Sequence, residues 1–314
     1  GIILIFLWGF ALLAGLSASV IRSVTMYSFV AIALYLKRRT NIFHTLLVSL
    51  MLILLVSPSL LFDVGLQLSY IALFFILWLQ PIFDDFYTPQ NKVTKYIWQI
   101  MTVSLAAQIG TLPLSLYYFH QFPGLFLLTN LFVLPLIGLI MAVGVPLMMS
   151  AALGWVPQLG LTLITALTQT LNSIVKTIAS ADSLVFKNIP FNFWMLCSVY
   201  VLIVCWALAL KKPQLKPIKW AIISILLVQL SIFISLLNAQ QKRTWLVLHQ
   251  KKATIIFNQS GRSLQVFTRG KISETAVQNY TTQEFIHQVN YNRLGHMTYF
   301  KKRKIVLIDA AQTY

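Results

Sequence analysis

Long apolar runs separated by short polar segments dominate this chain as far as residue 237. Nine runs have the length or the character of membrane helices: residues 2–21, 24–36, 43–56, 66–79, 96–119, 124–149, 159–179, 191–210 and 220–237. A helix needs about 20 mostly apolar residues to cross the hydrocarbon core of a bilayer. The strands of a membrane barrel would instead alternate polar and apolar side chains. The pattern therefore predicts an all-α polytopic membrane protein with about eight or nine membrane helices.

Two of these runs contain residues that interrupt helices. Pro113 lies inside the run at 96–119, and two prolines lie inside the run at 124–149. Because proline removes a backbone donor, we expect broken helices there. Gln108 and Thr111 would then either bond the freed carbonyl groups or line a cavity. Helices broken at membrane depth are typical of proteins that line a pathway.

Residues 159–179 differ from the other runs because they carry a polar helical face. This face consists of Thr162, Thr165, Gln169, Asn172 and Lys176, at three- and four-residue spacing. Such a helix lies in the membrane interface or faces a polar cavity between helices. The sequence leaves both interpretations open.

The end of the chain predicts a small soluble α+β module at residues 240–314, following a membrane domain at 1–237. Its predicted elements are strands at 244–248, 254–257 and 263–267, a loop at 258–261, a helix at 281–291 begun by a capping box, and a basic hairpin at 297–309.

The charge of the chain indicates a class of binding partner and, through its short basic loops, a topology in the membrane. The chain of 314 residues is 58% hydrophobic and 10% charged, with a net charge of +17, and 12 of its 24 Lys and Arg lie between residues 242 and 304. Such an excess favours a phosphate-bearing partner or an anionic lipid surface. The densest cluster of the module, a predicted DNA or lipid surface, is Lys301, Lys302, Arg303 and Lys304.

The short basic loops predict on which side of the membrane the module lies. The loop at 37–39 and the connector at 211–219 are both basic, so the positive-inside rule places both in the cytoplasm. Six crossings separate them if residues 159–179 cross once. The last run then leaves the cytoplasm, which makes the module extracytoplasmic.

No catalytic, metal or cofactor site is predicted. The five histidines are scattered, the two cysteines lie eight residues apart in one apolar run, and the chain has only seven acidic residues. Metal centres and hydrolases need clustered ligands that this pattern lacks. We therefore expect a protein that is not an enzyme. The alternative is a solute transporter or a lipid-modifying membrane enzyme that uses Asp63 and Arg22.

Residues 63–70 place polar chemistry at the entrance of an apolar run. Asp63 is expected to cap the following helix, whereas Gln67, one turn later, is the better candidate for facing a pathway. An aromatic cluster at 117–123 is typical of the interfacial belt, but it could also stack nucleotide bases. The candidate pathway residues are Arg22, Asp63, Gln67, Ser69, Gln108, Thr111, Pro113, Tyr118, Gln121 and Asn130.

The order of these features resembles that of the ComEC family of bacterial competence proteins. The matching features are residues 15–22 with Met26, 57–58, 63–70, 108–113, 118–123, Asn130 and Pro135. Leu66 and Tyr70 depart mildly from the family pattern, which has phenylalanine at both positions. The resemblance extends from residue 1 to about 237, the predicted membrane domain.

The resemblance implies a function and a set of partners. It implies an inner-membrane channel that takes up single-stranded DNA during natural transformation, with no cofactor. The implied partners are the DNA, the bilayer, a DNA receptor, a separate nuclease and a cytoplasmic helicase or translocase. The family's N-terminal β-domain and its metallo-β-lactamase-like domain are expected to lie outside this sequence.

Neutralising Lys301, Lys302, Arg303 and Lys304 in the full chain is expected to weaken DNA binding and to make it less salt-dependent. For each phosphate that is no longer neutralised, the slope of log affinity against log salt should fall by roughly 0.7 for single strands. Titration of a labelled oligonucleotide at several salt concentrations measures both quantities. If the unaltered chain binds no DNA at low salt, the cluster is a solvated turn or a lipid contact.

Overall fold

The computed structural model describes residues 2–13, 15, 17–35, 41–180, 185–211, 214–250, 253–269, 274–293, 297–300 and 303–306. The helices before the C-terminal module are α1 (Ile2–Leu13), α2 (Ala18–Tyr35), α3 (Ile42–Val56), α4 (Val64–Asp84), α5 (Lys92–Phe119), α6 (Phe126–Ala152), α7 (Gln158–Ala179), α8 (Phe193–Lys211) and α9 (Leu215–Gln241). Within the described residues, α4, α5, α6, α8 and α9 are long and apolar enough to cross a membrane. The predicted class, a polytopic helical membrane protein with a small α+β module, is confirmed.

Two compact units divide the chain. The first comprises Gly1–Phe186 and Trp206–Gln214, and the second comprises Lys187–Cys205 and Leu215–Tyr314. The first unit contains α1 to α7 and a short antiparallel pairing of β1 (Phe122–Pro123) with β2 (Val185–Phe186). The second contains most of α8, α9 and the C-terminal module.

Helices α4 and α5 form an antiparallel hairpin in the first unit. At the end beside the connecting loop, the Thr102 hydroxyl donates to Asp84 Oδ1 at 2.9 Å. In the middle, Gly110 lies so close to Phe75 that a Cβ on the glycine would be 2.5 Å from that ring. At the open end, the Tyr118 hydroxyl donates to Gln67 Oε1 at 2.9 Å. All three contacts fit a single register of α4 against α5.

Prolines do not break the helices that contain them. Helix α5 continues through Pro113, and α6 continues through Pro135 and Pro146. The prediction of interrupted helices is therefore wrong. A proline costs a helix one backbone hydrogen bond and a local bend, and a membrane helix keeps its other bonds because lipid offers no substitute.

The first turn of the chain lies earlier than predicted. Helix α1 ends at Leu13, and Gly15 adopts φ 75° before α2 begins. A positive φ favours glycine, which has no Cβ to clash with the backbone. The predicted boundary between residues 21 and 24 is therefore wrong, and Arg22 lies within the second turn of α2 rather than between two helices.

In its described residues, the C-terminal module contains a four-stranded sheet and one helix. The strands β3 (Arg243–Gln250), β4 (Ala253–Ser260), β5 (Ser263–Arg269) and β6 (Gln288–Arg293) pair in chain order, and α10 (Glu274–Gln283) connects β5 to β6. Because β5 and β6 are parallel, their connection must cross over, and α10 provides this crossover. The buried core consists of Ile255, Phe257, Leu264, Val266 and Val277.

Two predictions about this module need correction. The predicted helix at 281–291 is wrong because α10 ends at Gln283 and the following residues form β6. The predicted loop at 258–261 is too early because β4 continues to Ser260, and Gly261 makes the turn with φ 61°.

A separate hairpin of β7 (Met297–Phe300) and β8 (Arg303–Val306) follows. Arg303 and Lys304 lie in β8, whereas Lys301 and Lys302 fall outside the described residues. Helix α9 ends at Gln241, four residues after the predicted end of the membrane domain. The division into domains at 1–237 and 240–314 stays a prediction.

Replacing Gly110 by alanine is expected to loosen the α4–α5 hairpin, because the added methyl group would overlap Phe75. Overpacking of this kind costs about 1–3 kcal/mol. Gly138→Ala in α6 is the matched control, since a Cβ there meets nothing within 4 Å. Thermal unfolding in detergent should show a lower Tm for Gly110→Ala and an unchanged or higher Tm for Gly138→Ala. Equal Tm values for both variants would contradict the proposed packing.

Candidate functional site

Residues 63–70 begin α4 with a side-chain cap. A short 3-10 turn, Pro58–Phe62, precedes Asp63. Asp63 Oδ1 accepts a hydrogen bond from the Leu66 amide at 2.7 Å, which satisfies one of the free backbone donors at the start of a helix. The predicted cap is present. One oxygen of its carboxylate therefore bonds the backbone of its own helix.

Gln67 connects three elements near the start of α4. Its Nε2 donates to the Leu61 carbonyl in the 3-10 turn at 2.7 Å. Its Oε1 accepts the hydrogen bond from Tyr118, 51 residues further along the chain. Both ends of the amide are therefore engaged, and two predicted pathway residues lie in direct contact.

Arg22 lies over the ring of Tyr70. The guanidinium carbon is 6.0 Å from the ring centroid, within the range of a cation–π interaction. The Tyr70 hydroxyl is 2.9 Å from Ser49 Oγ, which also donates to the Leu46 carbonyl. Helices α2, α3 and α4 thus contribute one residue each to a line of Arg22, Tyr70 and Ser49.

The guanidinium of Arg22 has an N–H donor without a hydrogen-bond partner. Its Nε is buried and has no hydrogen-bond partner, and no carboxylate of the described residues forms an ion pair with it. Asp63 is one of these described carboxylates. An arginine among membrane helices ordinarily pairs or faces a water-filled cavity, because an unpaired charge in hydrocarbon is costly.

Apolar packing supports this line. Leu46, Ile53, Leu66 and Tyr70 form a buried cluster, against which Ile21 and Met26 pack. The segments around Arg22 and at 63–70, which the sequence singled out separately, are therefore parts of one structural unit.

The other predicted pathway residues do not join Gln67 or Arg22 by hydrogen bonds. Ser69, Gln108 and Asn130 are half-buried, Gln121 is exposed, and Pro113 is buried in α5. The Thr111 hydroxyl donates to the Ala107 carbonyl at 2.9 Å. That carbonyl is not the one that Pro113 leaves without a donor, so the expected compensation by Thr111 is not observed.

Sequence reasoning missed three polar residues that the structure engages: Ser49, Asp84 and Thr102. Ser49 is buried in an apolar run and has no sequence signal apart from its polarity. Asp84 ends α4 and accepts a hydrogen bond from the Thr102 hydroxyl. Residues eighteen positions apart across a tight hairpin give no periodic signal, so predicting this pair would have required the hairpin register.

Among the described residues, no three His, Cys, Asp or Glu side chains come together as a metal site. The polar groups around α4 are amides, hydroxyls, the guanidinium of Arg22 and the carboxylates of Asp63 and Asp84.

These features define a multi-pass helical membrane protein in which side-chain hydrogen bonds join a helix hairpin at both of its ends. The chain matches the family model described as "Competence protein" over residues 1–213, and it belongs to that family. It is also 31% identical over 134 residues to ComE operon protein 3 of Bacillus subtilis (strain 168). The match covers 43% of this chain and 16% of that relative, so the chain corresponds to a small part of it. No solved structure matches the chain.

Replacing Gln67 by leucine is expected to impair DNA transport more than folding, and replacing Asp63 by alanine is expected to do the reverse. Removing a helix cap costs about 1 kcal/mol, whereas the bonds of Gln67 to Leu61 and Tyr118 lie at an exposed end of the hairpin. Thermal unfolding in detergent and transformant numbers together measure the two effects. Asp63→Asn, which retains a capping oxygen, is the control. Equal loss of folded protein in both variants would remove the distinction.

Proposed function

We propose that this chain forms part of an inner-membrane channel that passes single-stranded DNA into the cytoplasm during natural transformation. Membership in the competence protein family supports a role in DNA uptake. The observation that carries the finer proposal is Arg22, a half-buried cation without a carboxylate partner among the described residues.

The surroundings of Arg22 suit a passing polyanion. Its guanidinium is held from one side by the Tyr70 ring, which leaves the planar fork of donors in place to bind a phosphate oxygen. Asp63 accepts the Leu66 amide as the cap of α4 and forms no ion pair with Arg22. A DNA phosphate would therefore meet a guanidinium that no carboxylate of the described residues pairs with.

Gln67 and Tyr118 mark the same end of the α4–α5 hairpin. Along α4, Gln67 and Asp84 are 17 residues apart, which is about 26 Å of helix. This length approaches the roughly 30 Å of the hydrocarbon core. The two polar contacts of the hairpin thus belong at opposite membrane boundaries, with Arg22 and Tyr70 near the boundary of Gln67.

We further propose that the chain hydrolyses nothing itself. A DNA receptor, a separate nuclease and a cytoplasmic helicase or translocase would then act as partners, and the C-terminal module would lie outside the cytoplasm. The alternative is a solute transporter or a lipid-modifying membrane enzyme that uses Asp63 and Arg22. Of these two residues, Asp63 accepts a backbone hydrogen bond as the cap of α4.

Deleting the gene in its naturally transformable host is expected to leave fluorescent donor DNA outside the inner membrane and to abolish transformants. Rescue by a copy carrying Arg22→Lys should exceed rescue by Arg22→Gln, because only lysine keeps the charge. We expect the glutamine variant to fall by about tenfold or more, the effect of removing a charged hydrogen bond. Membrane levels of both variants are measured by immunoblot.

Unchanged transformation after the deletion would overturn the proposed function. Equal rescue by the two variants, at equal protein levels, would remove Arg22 from the pathway.

A further inference from the structure

Helix α7 packs through one narrow face. Its half-buried residues recur every three or four positions along the whole helix, and every other described side chain of α7 is exposed. The half-buried residues are Gly160, Ile164, Leu167, Leu171, Ile174 and Ile178.

This face lies against α6, antiparallel to it. A Cβ on Gly144 would be 3.1 Å from Ile164, and a Cβ on Gly160 would be 2.8 Å from Leu147. These two close approaches lie one turn apart on each helix. Since α6 is long and apolar enough to span the membrane, a helix packed along it lies at membrane depth. The packing therefore favours a crossing α7 over one that lies flat in the interface.

The polar face of α7 points away from α6. Thr162, Thr165, Gln169, Asn172 and Lys176, here called the polar stripe, are all exposed. At 3.6 residues per turn, the middle of the stripe is about 160° around the helix from the middle of the packed face. The stripe therefore has no covering element within its own hairpin.

Two side chains of the stripe are hydrogen-bonded within α7, and the other three are not. The hydroxyl groups of Thr162 and Thr165 donate to backbone carbonyls one turn back, at 3.0 and 2.7 Å. In the described part of the chain, the side chains of Gln169, Asn172 and Lys176 make no such bond. The two hydroxyls need no further partner in lipid, whereas these amides and this ammonium group do.

We propose that the polar stripe contacts the sugar–phosphate backbone of single-stranded DNA during passage; this inference rests on the proposed function. The stripe offers amide, hydroxyl and ammonium donors, and neither α6 nor α7 contains an acidic residue that would repel phosphate. From Thr162 to Lys176 it covers about 21 Å of helix, most of the hydrocarbon core. Helix α7 also has no aromatic residue, so bases would not be held by stacking. A strand can therefore slide along the stripe.

Photo-crosslinking during DNA uptake tests this contact. A benzophenone amino acid replaces Gln169 in the full chain, and matched probes replace Leu163 and Val175, which are exposed on the two flanks of α7. With labelled donor DNA, we expect a DNA adduct from position 169 and none from the flanks.

Other adducts from position 169 overturn the inference. A crosslink to a second copy of the chain would assign the stripe to an oligomer interface, and a crosslink to lipid alone would assign it to the membrane interface. If the deletion abolishes uptake but no probe captures DNA, the proposed function stands and this inference fails.

A variant pair gives a second readout. Gln169→Leu combined with Asn172→Leu should lower transformant number by about tenfold at an unchanged protein level. Thr168→Val is the matched control on the flank, since its hydroxyl bonds only the Ile164 carbonyl, and it should transform like the unaltered protein. Equal transformation by both variants would overturn the inference.

Discussion

The register of the α4–α5 hairpin is the constraint on which the rest of the first unit depends. Phe75 against Gly110 sets the distance between the helices, because the glycine leaves room for a ring and nothing more. The same register brings Gln67 to Tyr118 and Asp84 to Thr102. Since a slip of one residue would rotate each helix by about 100°, all three pairs would separate together.

In the α4–α5 hairpin, the hydrogen bonds between described side chains of the two helices lie at its two ends. Between these ends, Phe75 packs against Gly110. This arrangement suits a bilayer, where water cannot replace a hydrogen bond that breaks in the middle. It also explains why the prolines of α5 and α6 are tolerated within continuous helices: each removes one backbone donor, and all other bonds of the helix remain.

Sequence patterns predicted the membrane helices and the cap at Asp63 because these are local properties of the chain. Apolar length and the spacing of a side chain from its own helix start need no knowledge of neighbours. The helix boundary was predicted at residues 21–24 instead of Gly15, and a break was predicted at Pro113 where α5 continues. The propensities of glycine and proline alone do not determine which of these residues ends a helix. The contacts of Ser49, Asp84 and Gln67 could not be predicted because they depend on which helices pack and in which register. The parallel strand β6 was missed for the same reason: its partner β5 lies across a helix.

Charge in the membrane part of the chain is one-sided. The carboxylates at the two ends of α4 are engaged, Asp63 by a backbone amide and Asp84 by Thr102. Arg22 has no carboxylate partner among the described residues, and Lys176 ends the polar stripe. Among the described residues, Arg22 and Lys176 therefore carry positive charge without a carboxylate partner. A polymer of phosphates supplies acceptors at regular intervals, whereas a neutral solute or an acyl chain does not. The polarity of the structure therefore agrees with the proposed passage of nucleic acid.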